Sequence, residues 1–75
     1  MRSEISMKIR SAEEFGKILR QRRKELGYTQ KYLSDFCGFS ISFISDLENG
    51  KPTVELGKTL YLANLLGLDI VSVVR

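Results

Sequence analysis

Apolar residues recur at helical spacing between residues 11 and 67, in four segments separated by residues that end helices. Residues 11–14, Ser-Ala-Glu-Glu, have the form of a capping box, in which Ser11 accepts from the third backbone N–H and Glu14 reaches back to the cap. Gly27 and Gly38 follow the first two segments, in the left-handed position that helices favour after their last turn. The pattern predicts an all-α bundle of about four helices.

Capping residues set the bounds of the later helices. We expect Thr29 to cap a helix over Gln30–Cys37, Ser40 to cap one over Ile41–Glu48, and Thr53 to cap one that runs to Gly67. The apolar residues are Phe15, Ile18, Leu19 and Leu26 on one stripe of the first helix, Leu33, Phe36 and Cys37 in the second, and Phe43, Ile44 and Leu47 on the inside of the third. The place of Phe36 stays open. Phe43 is expected to pack, with stacking on a DNA sugar as the alternative.

The two ends of the chain have a different pattern. Residues 4–10 alternate between apolar and polar side chains, which is typical of a short strand or of a tail. Residues 69–75 are rich in β-branched side chains and predict a C-terminal strand. The expected organisation is therefore an N-terminal strand or tail over residues 1–10, a helical domain over 11–67 and a strand over 68–75. Met7 is an alternative start.

Composition limits the size and the compartment. The 75 residues, 43% hydrophobic and 28% charged, suit one small globular domain. No apolar run approaches the roughly 20 residues of a membrane span, and the N-terminus lacks the apolar core of a secretory signal. A single cysteine cannot form an internal disulfide. We expect a cytoplasmic protein that does not enter membranes.

The chain contains no histidine, and this removes several kinds of site. Zinc sites of the usual Cys/His type, Ser-His-Asp triads and Cys-His pairs all need that side chain. Cys37, as the lone thiol, is expected to be a small core residue. The sequence predicts no enzyme activity, no metal and no cofactor.

Charge is unevenly distributed along the chain. Residues 1–31 carry nine basic and four acidic side chains, a net charge of +5, whereas residues 32–75 carry three and five, a net charge of −2. The first part is a candidate surface for a polyanion. The alternative is an ordinary solvated helix face, and for Arg20, Arg22 and Lys24 both interpretations stay open.

The second and third helices are separated by about three residues around Gly38, which is helix-turn-helix spacing. Phe39, Ile44 and Leu47 are expected to pack the third helix against the second. The face that remains outside is small and mostly polar, with Ser40, Ile41, Ser42, Ser45 and Asp46. Such a helix can approach base edges in a DNA major groove.

The combination of motifs resembles the helix-turn-helix of lambda-type phage repressors and Cro, the Xre family, over nearly the whole chain. The residues that carry the resemblance are Gly27-Tyr28-Thr29-Gln30, Leu33, Gly38, Ile44-Ser45 and Leu47-Glu48-Asn49-Gly50-Lys51. The resemblance implies a sequence-specific DNA-binding repressor that binds a palindromic operator on double-stranded DNA as a homodimer.

The same resemblance implies roles for individual residues. Thr29 and Gln30 would bind a DNA phosphate, and Asn49, Gly50 and Lys51 would bind phosphates with backbone and side-chain donors. The residues that would face base edges are Ser40, Ile41, Ser42 and Ser45. Arg23 and Glu48 match a partly buried structural ion pair. Relatives often carry Gln or Arg where this chain has Ile41 and Ser42, so bidentate base contacts are not expected there.

The C-terminal part has Lys51-Pro52-Thr53-Val54-Glu55-Leu56, then a helix, then Gly67-Leu68-Asp69-Ile70 with a terminal strand. This arrangement resembles HipB-like antitoxins, in which the repressor dimerises partly through C-terminal strands. That resemblance implies a HipA-like serine/threonine kinase toxin as a partner and repression of the protein's own operon. The residues expected at the dimer interface are Leu62, Leu65, Ile70, Val71 and Val73, unless Tyr61, Leu62 and Leu65 only cover the terminal strand within one subunit. The alternatives are a stand-alone or phage-type regulator without a toxin, and a protein-interaction module that has lost DNA binding.

Overall fold

The computed structural model describes residues 8–75. It contains four helices: α1 over Ala12–Glu25, α2 over Gln30–Cys37, α3 over Ile41–Glu48 and α4 over Leu56–Leu65. Every helix contributes to one core, which consists of Leu19, Leu33, Ile44, Leu47, Leu62, Ala63 and Leu66. The expected all-α bundle is confirmed, and the bounds of α2 and α3 are those that the sequence predicts.

Side-chain caps begin the first three helices as expected. The hydroxyl oxygens of Ser11, Thr29 and Ser40 each accept from the backbone N–H three residues later, at 3.0 Å. The Glu14 carboxylate accepts from the Arg10 backbone N–H at 2.7 Å, so it reaches one residue beyond the cap.

The fourth helix begins later than the sequence predicts. Residues 52–54 form a turn, and Glu55, not Thr53, is the cap, with its carboxylate accepting from the Lys58 N–H at 3.1 Å. Val54 is partly buried against the core. The chain must therefore bring Val54 inward before the helix can start, and this requirement outweighs the capping propensity of Thr53.

The expected terminal strands are absent from the part of the chain that the structure describes. Residues 8–10 and 68–75 have no regular secondary structure, and residues 1–7, where most of the possible N-terminal strand falls, lie outside the described residues. A strand needs a neighbour for its backbone hydrogen bonds, and none of the described segments of this single chain provides one.

Two glycines allow close contacts between α1 and the region around the end of α3. A Cβ at Gly16 would meet the Leu47 carbonyl oxygen and would lie 2.7 Å from that of Glu48. A Cβ at Gly50, which has φ of +81°, would lie 2.7 Å from the Glu13 Cα. The N-terminal half of α1 therefore lies directly against the C-terminal end of α3.

Candidate nucleic-acid interface

The turn between α2 and α3 is fixed by local hydrogen bonds. Gly38 has φ of +82° and its N–H donates to the Ser34 carbonyl at 2.9 Å. The Ser34 hydroxyl donates to the Phe39 carbonyl at 2.6 Å, and the Phe39 N–H donates to the Cys37 Sγ at 3.4 Å. Cys37 packs against the core, so the thiol holds the turn from inside.

This turn presents the outer face of α3 to solvent. Ser40, Ile41 and Ser42 are exposed, and Ser45 is half-buried. Ile44 and Leu47, on the opposite face, are buried in the core. The structure thus brings the four residues expected to face bases onto one accessible side of a helix that is anchored by the rest of the bundle.

The Arg23 guanidinium and the Glu48 carboxylate form a buried bidentate pair that joins α1 to α3. Nε donates to Oε2 at 2.6 Å and Nη2 donates to Oε1 at 3.0 Å, with the two side chains 8% and 4% exposed. The third guanidinium nitrogen, Nη1, donates to the Tyr28 carbonyl at 2.7 Å. Arg23 therefore also fixes the loop that leads into α2.

Gln30 joins the same network. Its Nε2 donates to Glu48 Oε1 at 3.1 Å, so the expected phosphate ligand is held by the ion pair. An amide nitrogen carries two hydrogens, and the bond to Glu48 uses one. Thr29, exposed beside it, uses its oxygen as the cap and keeps its hydroxyl proton for another acceptor.

The segment after α3 is arranged differently from what the resemblance implies. The backbone N–H groups of Asn49, Gly50 and Lys51 donate to carbonyls of α3, at 3.0, 3.1 and 3.0 Å. Gly50 is buried. The expectation of backbone phosphate donors here is corrected: these groups are already paired, and Gly50 serves the contact with α1.

Two side chains of this segment remain on the surface. The Asn49 Nδ2 donates to the Ser45 Oγ at 3.3 Å, and the Lys51 Nζ lies 3.4 Å from the Asp46 carboxylate. Both Asn49 and Lys51 are exposed. The Lys51–Asp46 pair is long and solvated, so it holds the ammonium group only weakly.

The residues expected at a dimer interface divide into two groups. Leu62 is 1% exposed and belongs to the core, which corrects its assignment to an intersubunit surface. Leu65 is partly buried against the same core. In contrast, Ile70, Val71 and Val73 are exposed. They line a groove of about 950 Å³ between the chain ends, α1 and α4.

Several contacts have no local signal in the sequence. The Arg22 Nε donates to the Leu66 carbonyl at 2.7 Å, which ties α1 to the end of α4. Phe39 packs edge-on against both Phe43 and Tyr61, at centroid distances of 5.3 and 5.8 Å. Phe43 is thus a packing residue, as expected.

Tyr32 and Phe36 point outward from α2. They are 52% and 61% exposed, and their rings stack with the centroids 6.4 Å apart. Phe36, an apolar residue of the predicted second helix whose place the sequence leaves open, therefore lies outside the core.

The described residues show neither a cluster of three or more potential metal ligands nor a helix long and apolar enough to cross a membrane.

A helix-turn-helix family model matches residues 19–73, most of the chain. This chain belongs to the Xre-type helix-turn-helix family. One relative is the uncharacterized HTH-type transcriptional regulator y4mF of Sinorhizobium fredii (strain NBRC 101917 / NGR234), 36% identical over 66 residues, which are 88% of this chain and 87% of the relative.

Solved structures with the same fold include two complexes of HipB. A HipB variant with the O2 20mer gives a TM-score of 0.83 at 23% identity, over 92% of this chain and 96% of that one. HipB with the O4 20mer gives 0.81 at 24% identity, over 91% and 96%. At these sequence identities, the comparison shows that this chain and HipB share a fold.

Proposed function

We propose that this protein is a transcriptional repressor that binds a palindromic DNA operator as a homodimer. One observation carries the proposal: the exposed face of α3 consists of small side chains, with donor groups at both of its edges. Thr29 and Gln30 lie at the start of α2, and Asn49 and Lys51 follow α3. This combination suits a helix placed in a major groove between two phosphate backbones. The relative named as a transcriptional regulator and the fold shared with HipB–20mer complexes support it.

In this proposal the ion pair positions a phosphate ligand. Glu48 accepts one amide hydrogen of Gln30 and orients the other toward the phosphate, together with the Thr29 hydroxyl proton. Glu48 is itself oriented by Arg23, so the phosphate contact is built on three helices at once. Lys51 supplies the cation at the other edge, exchanging Asp46 for a phosphate.

Base recognition by α3 rests on short side chains. Ser42 and Ser45 can each donate or accept one hydrogen bond at a base edge, and Ile41, 41% exposed, fits against a thymine methyl group. None of these gives the bidentate contact that discriminates most strongly. Sequence-dependent DNA shape therefore supplies much of the specificity in this proposal.

Dimer formation is proposed at the groove between the chain ends. Val71, Val73 and Val74 are 77%, 78% and 95% exposed, which is unusual for three valines of one short segment. The same segment from a second copy would supply the missing strand neighbour, and a two-fold axis would satisfy both copies equally. Such a dimer places two copies of α3 about one DNA turn, ~34 Å, apart.

We further propose that the protein is the antitoxin of a HipA-like serine/threonine kinase and represses the operon that encodes both. The HipB-like fold over nearly the whole chain supports this partner. A stand-alone regulator is the second candidate, because the y4mF relative, named as a transcriptional regulator, matches 88% of this chain over 87% of its own length. In both cases the protein acts by binding and not by catalysis.

Selection of duplexes from a randomised pool, followed by affinity measurements, tests DNA binding. We expect one palindromic sequence to be enriched and Gln30→Ala to weaken binding to operator and mixed-sequence DNA alike. Ser42→Ala/Ser45→Ala should reduce the preference for the operator with little change on mixed-sequence DNA. Exposed Asn64 of α4, outside both the candidate DNA interface and the proposed dimer segment, gives the control Asn64→Ala. A pool without enrichment would contradict the proposal.

Co-purification from the native cell separates the two candidate functions. A kinase retained with the tagged protein through size-exclusion chromatography supports the antitoxin. A homodimer alone, bound to its own upstream DNA, supports the stand-alone regulator.

A further inference from the structure

Three basic side chains on α1 have no part in the interface described above. Lys17, Arg20 and Lys24 follow one another at spacings of three and four residues and therefore lie on one face of the helix. All three are exposed, and the four ion pairs found among residues 8–75 involve other side chains. We call Lys17, Arg20 and Lys24 the basic stripe.

The basic stripe adjoins the candidate DNA interface. Gly16, next to Lys17, lies against the carbonyls that end α3, and Glu13, one turn earlier, lies against Gly50. Arg23, next to Lys24, holds Glu48 and through it Gln30. The stripe thus runs along the side of α1 that borders the proposed phosphate ligands, away from the groove that contains Phe15 and Ile18.

We propose that the basic stripe binds the phosphate backbone of the same DNA duplex and extends the interface beyond the helix-turn-helix. This inference rests on the proposed function. From Lys17 to Lys24 the helix rises about 10 Å, so the stripe is long enough to meet more than one phosphate of a strand, whose charges recur every 3.4 Å of the duplex axis. Three cations in a row, outside the ion pairs of the described residues, have the sign of charge that such a backbone attracts.

The composition of the stripe favours DNA over an acidic protein. Protein-binding surfaces are built around apolar or aromatic anchors and are depleted in lysine. The side chains around this stripe are Gln21 and Glu25, with no apolar residue in the surface depression they line together. The exposed aromatic residues, Tyr32 and Phe36, lie on α2 instead. Binding of an acidic protein is therefore an outcome for the test to exclude.

The salt dependence of binding tests the proposal. Binding releases about one counterion for each phosphate that a cation contacts, so a variant that lacks such a cation releases fewer counterions when it binds. The test variant is Arg20→Gln/Lys24→Gln. Its control is Lys58→Gln, which removes an exposed cation of α4 that lies outside the basic stripe, the groove and the proposed phosphate ligands. Affinity for the selected operator and for a mixed-sequence duplex is measured across salt concentrations, with oligomeric state by sedimentation and thermal unfolding by circular dichroism.

We expect the slope of log K against log salt to decrease in magnitude by almost 4 in the test variant, at about 0.9 for each of the four contacts that the proposed dimer would lose, and to stay unchanged in the control. The ratio of operator to mixed-sequence affinity should stay constant, because phosphate contacts carry no sequence information. Equal slopes in the wild type, test variant and control would overturn the inference and leave the proposed function intact. Loss of a co-purifying acidic protein with normal DNA binding would also overturn it. Absence of DNA binding by the wild type would overturn both.

Discussion

At the scale of single residues, Glu48 connects the fold to the candidate site. Its carboxylate accepts three hydrogen bonds, two from Arg23 and one from Gln30, at 2.6 to 3.1 Å. These donors lie on α1 and α2, while Glu48 ends α3. A buried charge with this many partners is satisfied, whereas removal of one partner leaves the other charge buried and unpaired.

A double-mutant cycle on Arg23 and Glu48 should therefore show strong coupling. Each of Arg23→Met and Glu48→Met is expected to lower the free energy of unfolding by about 3 kcal/mol, and the double variant by clearly less than the sum. Chemical denaturation followed by circular dichroism measures all four proteins. The exposed Lys31–Asp35 pair, whose side chains are 70% and 65% exposed, is the control and should show almost no coupling. Additive effects of the two substitutions would show that the interaction between Arg23 and Glu48 does not stabilise the fold.

Gly16 is a residue whose role depends on a neighbour distant in the sequence. Alanine favours a helix interior over glycine by about 1 kcal/mol, but a methyl group at this position would meet the Leu47 and Glu48 carbonyls. We expect Gly16→Ala to lower the free energy of unfolding by about 2 kcal/mol, since α1 must move away from α3. Gly57→Ala in α4 is the control, because its new methyl group would meet only the Glu55 carboxylate, and loss of that cap, about 1 kcal/mol, is offset by the higher helix propensity of alanine. A stabilised Gly16→Ala would show that the two helices separate at little cost.

Sequence reasoning identifies residues such as Thr29, Ser40 and Gly38 because their effect is local: each acts on backbone groups within a few positions. It does not identify Gly16, the Arg22 bond to Leu66 or the Gln30 bond to Glu48, because these link positions far apart in the chain. The contact between Arg23 and Glu48 is predicted only by the family resemblance, because the spacing of the two residues does not indicate that they meet.

At the scale of helices, the start of α4 is not where local capping preferences predict it. Thr53 follows Pro52 and has the better side chain for a cap, yet the helix starts after Glu55. The start is set by Val54, which packs against the core, and by Glu55, whose carboxylate and carbonyl accept from Lys58 and Thr59. Tertiary packing thus displaces the start by two residues.

This placement gives a prediction on two neighbouring residues. Glu55→Ala removes the acceptor for the Lys58 N–H and should lower the free energy of unfolding by about 1 kcal/mol. Thr53→Ala should leave it unchanged, because Thr53 is exposed in a turn before the helix. Thermal denaturation of both variants measures the difference. A larger loss of stability in Thr53→Ala than in Glu55→Ala would support Thr53 as the cap of α4, as the sequence predicts.

At the scale of the whole molecule, the candidate DNA-binding site and the proposed dimer interface depend on different parts of the chain. The site lies on α2, α3 and the segment between α3 and Pro52, and its main-chain arrangement is complete within one chain. The terminal segment is not complete: Ile70, Val71, Val73 and Val74 stay exposed, and the predicted strand is not formed. The β-branched composition favours a strand, and in the proposed dimer the same segment of a second copy supplies its hydrogen bonds.

Deletion of residues 70–75 should therefore abolish dimers and tight operator binding while it leaves the DNA-contacting residues in place. The exposed tail adds little packing to the monomer, so its contribution to stability should come through association. Wild-type Tm should rise with protein concentration, and the Tm of the truncated protein should be lower and independent of concentration. Sedimentation gives the oligomeric state, and affinities for full and half operators give the DNA contribution.

The half operator separates loss of the dimer from loss of the site. If the tail acts only through association, the truncated and wild-type proteins should bind a half operator equally, and only the full palindrome should distinguish them. Val71→Ser/Val73→Ser, which keeps the chain length, should reproduce the truncation. A truncated protein that stays dimeric and binds the full palindrome normally would place the dimer on the exposed side of α4, where Leu56 and Tyr61 are 66% and 52% exposed. The terminal segment would then be left for a different protein partner.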